Sequence, residues 1–325
     1  MQDTEKIKLL SESIGKVKTE ISKVIIGQTD IVDQLLTALF AKGHVLLIGV
    51  PGLAKTLLIR TLAKALDLKF SRIQFTPDLM PGDISGTEII EDDLSSGQKT
   101  FRFVKGPIFA NIVLADEINR TPPKTQAALL ESMEEHAVTA AGMTYKLEQP
   151  FFVLATQNPI EQEGTYPLPE AQLDRFMYNI WLDYPATEEE EQIVKSTTSI
   201  NKPEIIKVLN AEEIMGFQEL VRKVPVSDNV INFAVKLVRS TRPATTELKY
   251  IKDFISYGAG PRASQYIILG AKSRAALRGK FTPDIDDVKA AALPVLRHRI
   301  VTNFNAEADN ITPNDIVAML IDNLK

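Results

Sequence analysis

Cysteine is absent from this 325-residue chain, and histidine is scarce, with only His44, His136 and His298. The absence of cysteine excludes disulfides, thiolate metal sites and cysteine-based catalysis. The three histidines are far apart in the sequence and lack the spacing of metal ligands. We therefore interpret them as ordinary packing or surface residues rather than as a metal site.

Long apolar runs are also missing. No stretch reaches the about 18 apolar residues that a membrane-spanning helix requires. The segment from Met1 to Glu5 is polar and acidic, unlike a secretory signal. The formal net charge of -5 provides no bulk attraction to nucleic acid or to an anionic membrane. These features predict a cytoplasmic protein with no membrane span, and they argue against nucleic acid as a partner.

The order of apolar segments predicts two domains. Strand patterns alternate with helical patterns up to Tyr184-Pro185, which predicts a parallel sheet covered on both faces. Helical patterns dominate afterwards, which predicts a helical bundle. We place the boundary at residues 185–205 and the domains at residues 1–190 and 205–325. The strand candidates are His44 to Ile48, Phe70 to Phe75, Ile112 to Ala115, Phe151 to Thr156 and Tyr178 to Leu182.

Two segments interrupt the alternation of strands and helices. Each contains a pair of β-rich stretches around a glycine-containing connection, which is the pattern of a hairpin projecting from the sheet domain. In the first, Thr87 to Ile90 and Thr100 to Phe103 flank Glu91 to Lys99; in the second, Val138-Thr139 and Thr144 to Leu147 flank Ala140 to Met143.

The segment from Gly49 to Thr56, with sequence G-V-P-G-L-A-K-T, follows a predicted strand and opens a predicted helix. This is the context of a phosphate-binding loop, whose backbone N–H groups and helix N-terminus attract phosphate. Lys55 is expected to contact the β- and γ-phosphates, and the Thr56 hydroxyl to coordinate Mg²⁺. The alternative is a tight turn that binds nothing. The other expected nucleotide contacts are Gly49, Pro51, Gly52, Leu53, Ala54 and Leu57.

Asp116 and Glu117 follow the apolar strand Ile112 to Ala115. Two adjacent carboxylates at the end of a buried strand are costly unless they bind something. Asp116 is expected to hold Mg²⁺, and Glu117 to orient or deprotonate the attacking water. The alternative is that the pair caps the following helix.

Three further polar residues are candidates with open alternatives. Asn158 follows another buried strand; it either positions the water or senses the γ-phosphate, or else forms a turn before Pro159. Arg175 is either a surface ion pair or an arginine finger for a neighbouring subunit. Arg262 opens a helix, where its charge is unfavourable unless it meets an anion such as the nucleotide phosphates; the alternative is simple exposure to solvent.

The order of these motifs resembles that of AAA+ ATPases, and longer runs resemble the MoxR family. In that family alanine before the lysine is usual. The resemblance implies an α/β P-loop NTPase with a three-layer αβα core, a parallel five-stranded sheet in the order 5-1-4-3-2, and an all-helical lid. The runs that carry it are Gly49 to Thr56, Thr76 to Gly86 (T-P-D-L-M-P-G-D-I-S-G), Ala155 to Pro159 (A-T-Q-N-P) and Glu163 to Phe176 (E-G-T-Y-P-L-P-E-A-Q-L-D-R-F).

The resemblance also implies roles for single residues. It identifies Asn158 as sensor 1, Arg175 as the trans-acting finger and Arg262 as sensor 2. The stretch Val24 to Gln28 (V-I-I-G-Q), with Ile26 and Gly27, resembles the segment that lines the adenine pocket. The two hairpins correspond to an insert in helix 2 and an insert before the Asn158 strand.

The function implied is that of a chaperone-like ATPase using ATP and Mg²⁺ to remodel, mature or activate client proteins. The family is associated with hexameric rings and with partners that carry a von Willebrand factor A domain. We expect ATP to bind between the sheet domain and the lid, with Arg175 of the next subunit completing the site. The alternatives are a nucleic-acid motor, the motor subunit of a metal chelatase, and a nucleotide-gated binding module with negligible turnover.

Overall fold

The computed structural model describes residues 2–92, 99–140, 142–161, 164–200 and 203–324. Parts of some predictions lie outside the described residues: positions 93–98 of the first hairpin connection, position 141 of the second, Glu163, and positions 201–202 of the domain boundary. Within the described ranges, no helix is both long enough and apolar enough to cross a bilayer.

The strands, in chain order, are β1 Val45–Ile48, β2 Phe70–Gln74, β3 Gly86–Asp92, β4 Lys99–Lys105, β5 Ile112–Asp116, β6 Ala137–Ala140, β7 Met143–Lys146, β8 Phe152–Gln157, β9 Tyr178–Trp181, β10 Ile255–Tyr257 and β11 Val301–Thr302. The α-helices are α1 Asp3–Ser22, α2 Thr29–Phe40, α3 Lys55–Ala65, α4 Pro81–Ser85, α5 Pro123–Glu135, α6 Glu170–Leu173, α7 Thr187–Thr197, α8 Ala211–Lys223, α9 Asp228–Ser240, α10 Lys249–Phe254, α11 Pro261–Leu277, α12 Ile285–Leu296, α13 Phe304–Ala308 and α14 Pro313–Asn323.

Five parallel strands form the central sheet, in the order β2-β5-β8-β1-β9. Read from β9, these strands are the fifth, first, fourth, third and second of the sheet along the chain, so the predicted order 5-1-4-3-2 is confirmed. Because all five run in the same direction, their carboxyl ends share one edge of the sheet and their amino ends share the opposite edge. We call these the carboxyl edge and the amino edge.

Alternating side chains divide the sheet between two apolar cores. In β1, Val45 and Leu47 join one core while Leu46 joins the other, as the twofold repeat of a strand requires. The first core also contains α1, α2, α3 and the helices after residue 205, whereas the second contains α4 and α5. Helices therefore cover both faces, which gives the predicted three-layer arrangement followed by a helical lid.

The lid is joined to the N-terminal helices by a shared interior. Leu10 and Ile14 of α1 are buried in the same cluster as Ile267 of α11. Polar bonds cross the same boundary: Gln218 Nε2 of α8 donates to the Leu39 carbonyl of α2 at 2.8 Å. The division into residues 1–190 and 205–325 stays a prediction, but the lid packs tightly against α1 and α2.

Both predicted hairpins are present as antiparallel pairs, β3 with β4 and β6 with β7. An aromatic stack connects them, since the rings of Phe103 in β4 and Tyr145 in β7 lie 4.3 Å apart and are nearly parallel. Such ring pairs contribute about 0.5–1.5 kcal/mol beyond their buried area. The two hairpins therefore contact each other as well as the sheet domain.

Candidate functional site

The loop from Gly49 to Ala54 connects β1 to α3 at the carboxyl edge. Gly52 and Ala54 have φ angles of 90° and 55°, in the left-handed region. Leu53 is only 7% exposed and anchors the loop in the core. Alternating backbone conformations of this kind turn successive N–H groups toward one side, and the N-terminus of α3 adds positive potential. The loop has the conformation expected of a phosphate cradle.

Lys55 occupies the first position of α3 and is half-buried. Its ammonium group donates to the carbonyl of Gly49 and, at 3.2 Å, to that of Val50. Burial lowers the pKa of Lys55, and the carboxylates of Asp116 and Glu117 act in the opposite direction. The structure therefore brings the predicted lysine and the two predicted carboxylates into one electrostatic environment, with the ammonium group held by carbonyls that a phosphate would replace.

Asp116 ends the fully buried strand β5, and its side chain is fixed from two neighbouring strands. Arg72 of β2 donates to Oδ2 from Nε and Nη2, at 3.0 and 2.7 Å. Thr156 of β8 donates to Oδ1 at 2.6 Å. A buried carboxylate needs such partners, because charge without them is expensive to remove from water. The hydrogen bonds define the position of the predicted metal ligand.

Glu117 follows with a φ angle of 58°, so the chain turns sharply after the strand. Its N–H donates to the hydroxyl of Thr156 at 2.8 Å. Its Oε2 accepts hydrogen bonds from Gln74 of β2 at 2.8 Å and from Arg120 at 3.0 Å. The alternative role as a helix cap is not observed, since the side chain bonds to a neighbouring strand and to Arg120.

Arg72, Gln74 and Thr156 were not predicted as functional residues from the sequence, although together they hydrogen-bond to both carboxylates. Arg72 and Gln74 are two positions apart on β2, which puts their side chains on one face of the strand. The available sequence signal was a charged and an amide side chain on one face of β2. Its meaning depends on β2 lying beside β5, the strand that ends in Asp116. Thr156 is fully buried. It belongs to the A-T-Q-N-P run, in which Asn158 was the residue predicted to be functional.

Asn158 is 7% exposed and lies just beyond β8, at the carboxyl edge. Its Oδ1 accepts the N–H of Ile160 at 3.1 Å. The predicted alternative, a turn stabilised by the asparagine side chain, is therefore present. A sensing role for Asn158 stays a prediction.

The V-I-I-G-Q stretch lies beside the loop. Gln28 Nε2 donates to the Leu53 carbonyl at 3.3 Å. Gly27 has a φ angle of 67°, in the left-handed region that favours glycine, and a Cβ at that position would require the Glu189 side chain to move. The buried Oε1 of Gln28 has no hydrogen-bond partner among the described residues. An unpaired buried acceptor beside a phosphate cradle fits a ligand that brings a donor, such as the amino group of adenine.

Arg175 and Arg262 lie together at the amino edge. Arg175 Nη2 is 3.0 Å from Glu134 Oε2, and Arg262 Nη2 is 3.6 Å from Glu134 Oε1. Arg262 Nη1 also donates to Asp174 Oδ2 at 3.1 Å. The segment that carries Arg175 precedes β9 and hydrogen-bonds to the residue before β1, through Met177 N–H and the carbonyl of His44. Both arginines therefore lie at the amino ends of the strands, opposite the loop at the carboxyl ends.

This position corrects one expectation. Arg262 was expected to meet the phosphates held by Lys55 of its own chain, but it bonds to carboxylates at the amino edge, and β1 separates the two edges by about 13 Å at about 3.3 Å per residue. The physical reason is that α11 docks its N-terminus on the Asp174 segment at the amino ends of the strands. The Arg262 side chain is 39% exposed while it pairs with carboxylates, so its other predicted alternative, exposure to solvent, is present in part.

Of the three histidines, His44 is a packing residue. His44 and His136 have ring centroids 6.3 Å apart, although the sequence separates them widely. The Nδ1 of His44 accepts the Val153 N–H at 3.1 Å, and its Nε2 lies 3.2 Å from the Met133 carbonyl. Both nitrogens of His44 are therefore used by the backbone, and burial lowers its pKa to about 4. This arrangement agrees with the interpretation that His44 is not a metal ligand.

Comparisons with known proteins agree with this geometry. The model of the ATPase family associated with various cellular activities (AAA) matches residues 44–178, and that of the AAA lid domain matches residues 249–320. Chaperone MoxR1 of Mycobacterium tuberculosis is 44% identical over 299 residues, which cover 92% of this chain and 78% of the relative. Protein MoxR of Paracoccus denitrificans is 30% identical over 298 residues, which cover 86% of each chain.

A solved structure shows the same architecture. The crystal structure of a protein from Cytophaga hutchinsonii, described as an ATPase, is 42% identical, with a TM-score of 0.92. The similarity covers 99% of this chain and 97% of the other. The sheet order, the lid and the relatives lead to the same assignment, and the chain belongs to the MoxR family of AAA+ ATPases.

Proposed function

We propose that the protein hydrolyses ATP at the carboxyl edge of its sheet, and that Arg175 and Arg262 of a neighbouring copy complete each site. The observation that carries the proposal is the separation of the two groups. Lys55, Asp116 and Glu117 lie at one edge, and the two arginines lie together at the other. A head-to-tail ring brings opposite edges of successive subunits together, which makes one complete site per interface.

The residues at the carboxyl edge fit ATP with Mg²⁺. The hydroxyl of Thr56 in the first turn of α3 and the carboxylate of Asp116 are oxygen donors, which Mg²⁺ prefers, and both belong to elements that meet at this edge. When bound, Mg²⁺ neutralises charge on the phosphates. Lys55 exchanges its carbonyl partners for phosphate oxygens, and the loop N–H groups bind the same anion.

Glu117 is the proposed general base. Gln74 and Arg120 both bond to its Oε2, so they orient the carboxylate while Oε1 can accept the proton from water. Thr156 keeps the backbone of Glu117 and the side chain of Asp116 in a fixed relation throughout, because it bonds to both. Positioning by hydrogen bonds of this kind is the main contribution that a protein makes to phosphoryl transfer.

The arginines act on the site of the next subunit. In a single chain they bond to Glu134, a carboxylate that occupies the place of an anionic ligand. In the proposed hexameric ring, the neighbour's triphosphate competes with Glu134 for the same guanidinium groups. Arginine is suited to this role because its planar donors match phosphate oxygens.

The proposed use of this cycle is the remodelling or maturation of a client protein, with a von Willebrand factor A domain in a partner. Two facts support a client surface on the hairpins. Ile90 and Phe101 lie opposite each other across the first hairpin and are exposed by 59% and 70%, so they form an apolar pair on its surface, and Met143 of the second hairpin is exposed by 61%. The relative in M. tuberculosis is named as a chaperone.

Mixing two inactive variants tests the shared site. Glu117→Gln retains its arginines but lacks the base, and Arg175→Ala retains the base but lacks the finger. Each alone is expected to lose at least about 100-fold in ATPase rate. An equal mixture is expected to recover about a quarter of the normal rate, since that fraction of interfaces combines an intact base with an intact arginine. A mixture as inactive as its components would exclude a site shared between subunits.

A further inference from the structure

The segment that carries Arg175 is bound by the lid as well as by the sheet domain: Phe176 is buried in the sheet-domain core, and the Met177 N–H bonds to the His44 carbonyl, while the lid contributes a separate set of bonds. Arg299 follows α12, and its side chain is only 2% exposed. Its Nε donates to Asp174 Oδ1 at 2.7 Å, and its Nη2 donates to the carbonyls of Asp174 and Phe176 at 2.8 and 2.7 Å. A third nitrogen, Nη1, reaches the Met177 carbonyl at 3.3 Å. One lid side chain thus bonds to residues on both sides of Arg175.

Helix α11 of the lid contacts the same segment. The hydroxyl of Tyr266 donates to the carbonyl of Arg175 at 3.4 Å. The guanidinium of Arg299 lies over the Tyr266 ring, 5.2 Å from its centroid. Arg262, one turn before Tyr266, donates to Asp174 Oδ2. Tyr266, Arg262 and Arg299 therefore bond to the backbone of Arg175 or to the residues beside it. The Arg175 side chain itself contacts the sheet domain through an ion pair with the half-exposed Glu134.

These contacts differ in how easily they open. The bonds of Arg299 are buried, and breaking them leaves a guanidinium and several carbonyls without partners in the interior, which is strongly unfavourable. The Arg175–Glu134 pair is partly exposed, with side chains accessible by 32% and 47%, and ion pairs of that kind contribute little. Phe176 and Met177 keep the end of the segment on the sheet domain. When the lid shifts, Asp174 and Arg175 are therefore expected to turn about this end with the lid, and the Glu134 pair is expected to open.

We propose that Arg299 is the positioning residue for Arg175: it fastens the arginine segment to the lid, so that the lid of one subunit sets where Arg175 stands at the triphosphate of the next. The inference rests on the proposed shared site. It adds a direct structural connection between the lid of one subunit and the active site of the next. This connection is made by a residue that does not contact ATP.

Arg299→Lys tests this inference, since lysine keeps the charge but loses the fork of donors. We expect the ATPase rate to fall about 10- to 100-fold, as for a displaced catalytic group. ATP affinity is expected to stay within about twofold, because the loop lies at the other edge of the sheet. Arg274→Lys is the matched control: it also removes a lid arginine paired with an aspartate, Asp287, but one with no bond to the Arg175 segment.

Mixtures identify which site is damaged. With Glu117→Gln, the Arg299→Lys chain is expected to recover activity toward about a quarter of normal, because it has a good base and receives a good arginine. With Arg175→Ala it is expected to stay inactive, because both chains lack a usable finger. A variant damaged in its own nucleotide site gives the reverse pattern. Recovery with Arg175→Ala, or no recovery in either mixture, would overturn the inference.

The parent mixture of Glu117→Gln with Arg175→Ala separates this test from that of the proposed function. If the parent mixture is inactive, the shared site itself fails; if it is active, only the role of Arg299 is at issue. Should Arg299→Lys not fold, Tyr266→Phe takes its place in the same two mixtures, since it removes the lid's hydrogen bond to the Arg175 carbonyl while leaving Asp174 and its pair with Arg262 intact. The same patterns support or overturn the inference, and rescue by Arg175→Ala again decides against it.

Discussion

The two edges of the sheet are built in different ways. At the carboxyl edge, the cradle is one continuous loop, and its main cation, Lys55, is bonded to loop carbonyls that a ligand can replace. At the amino edge, the cluster draws on four separate parts of the chain: the end of α5, the segment before β9, the start of α11 and the turn after α12. The first edge is arranged to receive a ligand, and the second to hold an arginine in a defined place.

The lid also differs between its two attachments. Toward α1 and α2 it shares a continuous apolar core, and toward the amino edge it is joined by the hydrogen bonds of Arg299. A lid motion must therefore carry α1 and α2 with it, or must occur at a boundary farther into the sheet domain. Because apolar interfaces of this kind are close-packed, rigid displacement is favoured over gradual deformation.

The largest predicted effect tests whether the two edges are separate. In single chains at low protein concentration, Lys55→Ala is expected to weaken ATP binding by about 100-fold, since it removes charge-assisted bonds to phosphate. Arg262→Ala is expected to change that affinity by no more than about twofold, because it lies at the other edge. Calorimetric titration with ATP and Mg²⁺ measures both. Equal losses in the two variants would mean that Arg262 reaches the nucleotide of its own chain.

Thr156→Val should give the next largest effect, and it is confined to the carboxyl edge. Valine has the same shape but loses the bonds to Asp116 and to the Glu117 N–H. We expect kcat to fall about 10- to 100-fold through misplacement of the carboxylates. Thr156→Ser retains the hydroxyl and is expected to stay near the normal rate. Steady-state ATPase assays of both variants decide, and a valine variant with normal kcat would show that the hydroxyl does not position the carboxylates.

Sequence patterns predicted the carboxyl edge far better than the amino edge, and the reason is physical. The loop works through consecutive backbone N–H groups, so its residues are necessarily adjacent in the sequence. The sheet order also followed, because the motifs occur in a recognisable order. Thr156 and Gln74 act across neighbouring strands, and their importance depends on which strand lies beside β5.

Arg299 shows the limit most clearly. Nothing near it in the sequence distinguishes it from Arg297, two positions earlier, which lies over the Trp181 ring at 5.6 Å. Its role depends on how α12 docks against the segment before β9, which is a matter of tertiary packing. Arg262 was misplaced for the same reason: the motif identified the residue, but only the docking of α11 determines the edge to which it points.

A change of pH is expected to affect the amino edge, because a buried histidine lies there. His44 at the amino edge is neutral, with a pKa of about 4 against 6.5 for an unperturbed histidine. As pH falls from 6.5 toward 4, the unfolded chain takes up a proton that the folded chain does not, so stability is lost in that window. Charged or titratable groups line the adjacent 200 Å³ cavity: Lys42, Glu134, His136, Arg175 and Arg262.

His44→Gln isolates this contribution, since glutamine can donate and accept without titrating. Between pH 7 and pH 5, the free energy of unfolding of the native chain is expected to fall about 2 kcal/mol more than that of the variant. Urea unfolding at both pH values measures the difference, and contributions from the other two histidines cancel. Parallel losses in the two proteins would show that His44 takes up a proton without cost and that the amino edge tolerates the charge.

The smallest predicted effect concerns the backbone of the loop. Ala54 has a φ angle of 55°, a conformation that costs a residue with a Cβ about 1 kcal/mol and that glycine adopts freely. Ala54→Gly is therefore expected to raise the free energy of unfolding by about 0.5 kcal/mol, after glycine's greater loss of chain entropy is subtracted. Ala127→Gly, at an exposed position inside α5, is the control and is expected to lower it by about 1 kcal/mol. Urea unfolding of both variants gives the signs: opposite signs identify Ala54 as a strained position retained at the phosphate loop, whereas two losses would show that the loop alanine carries no strain.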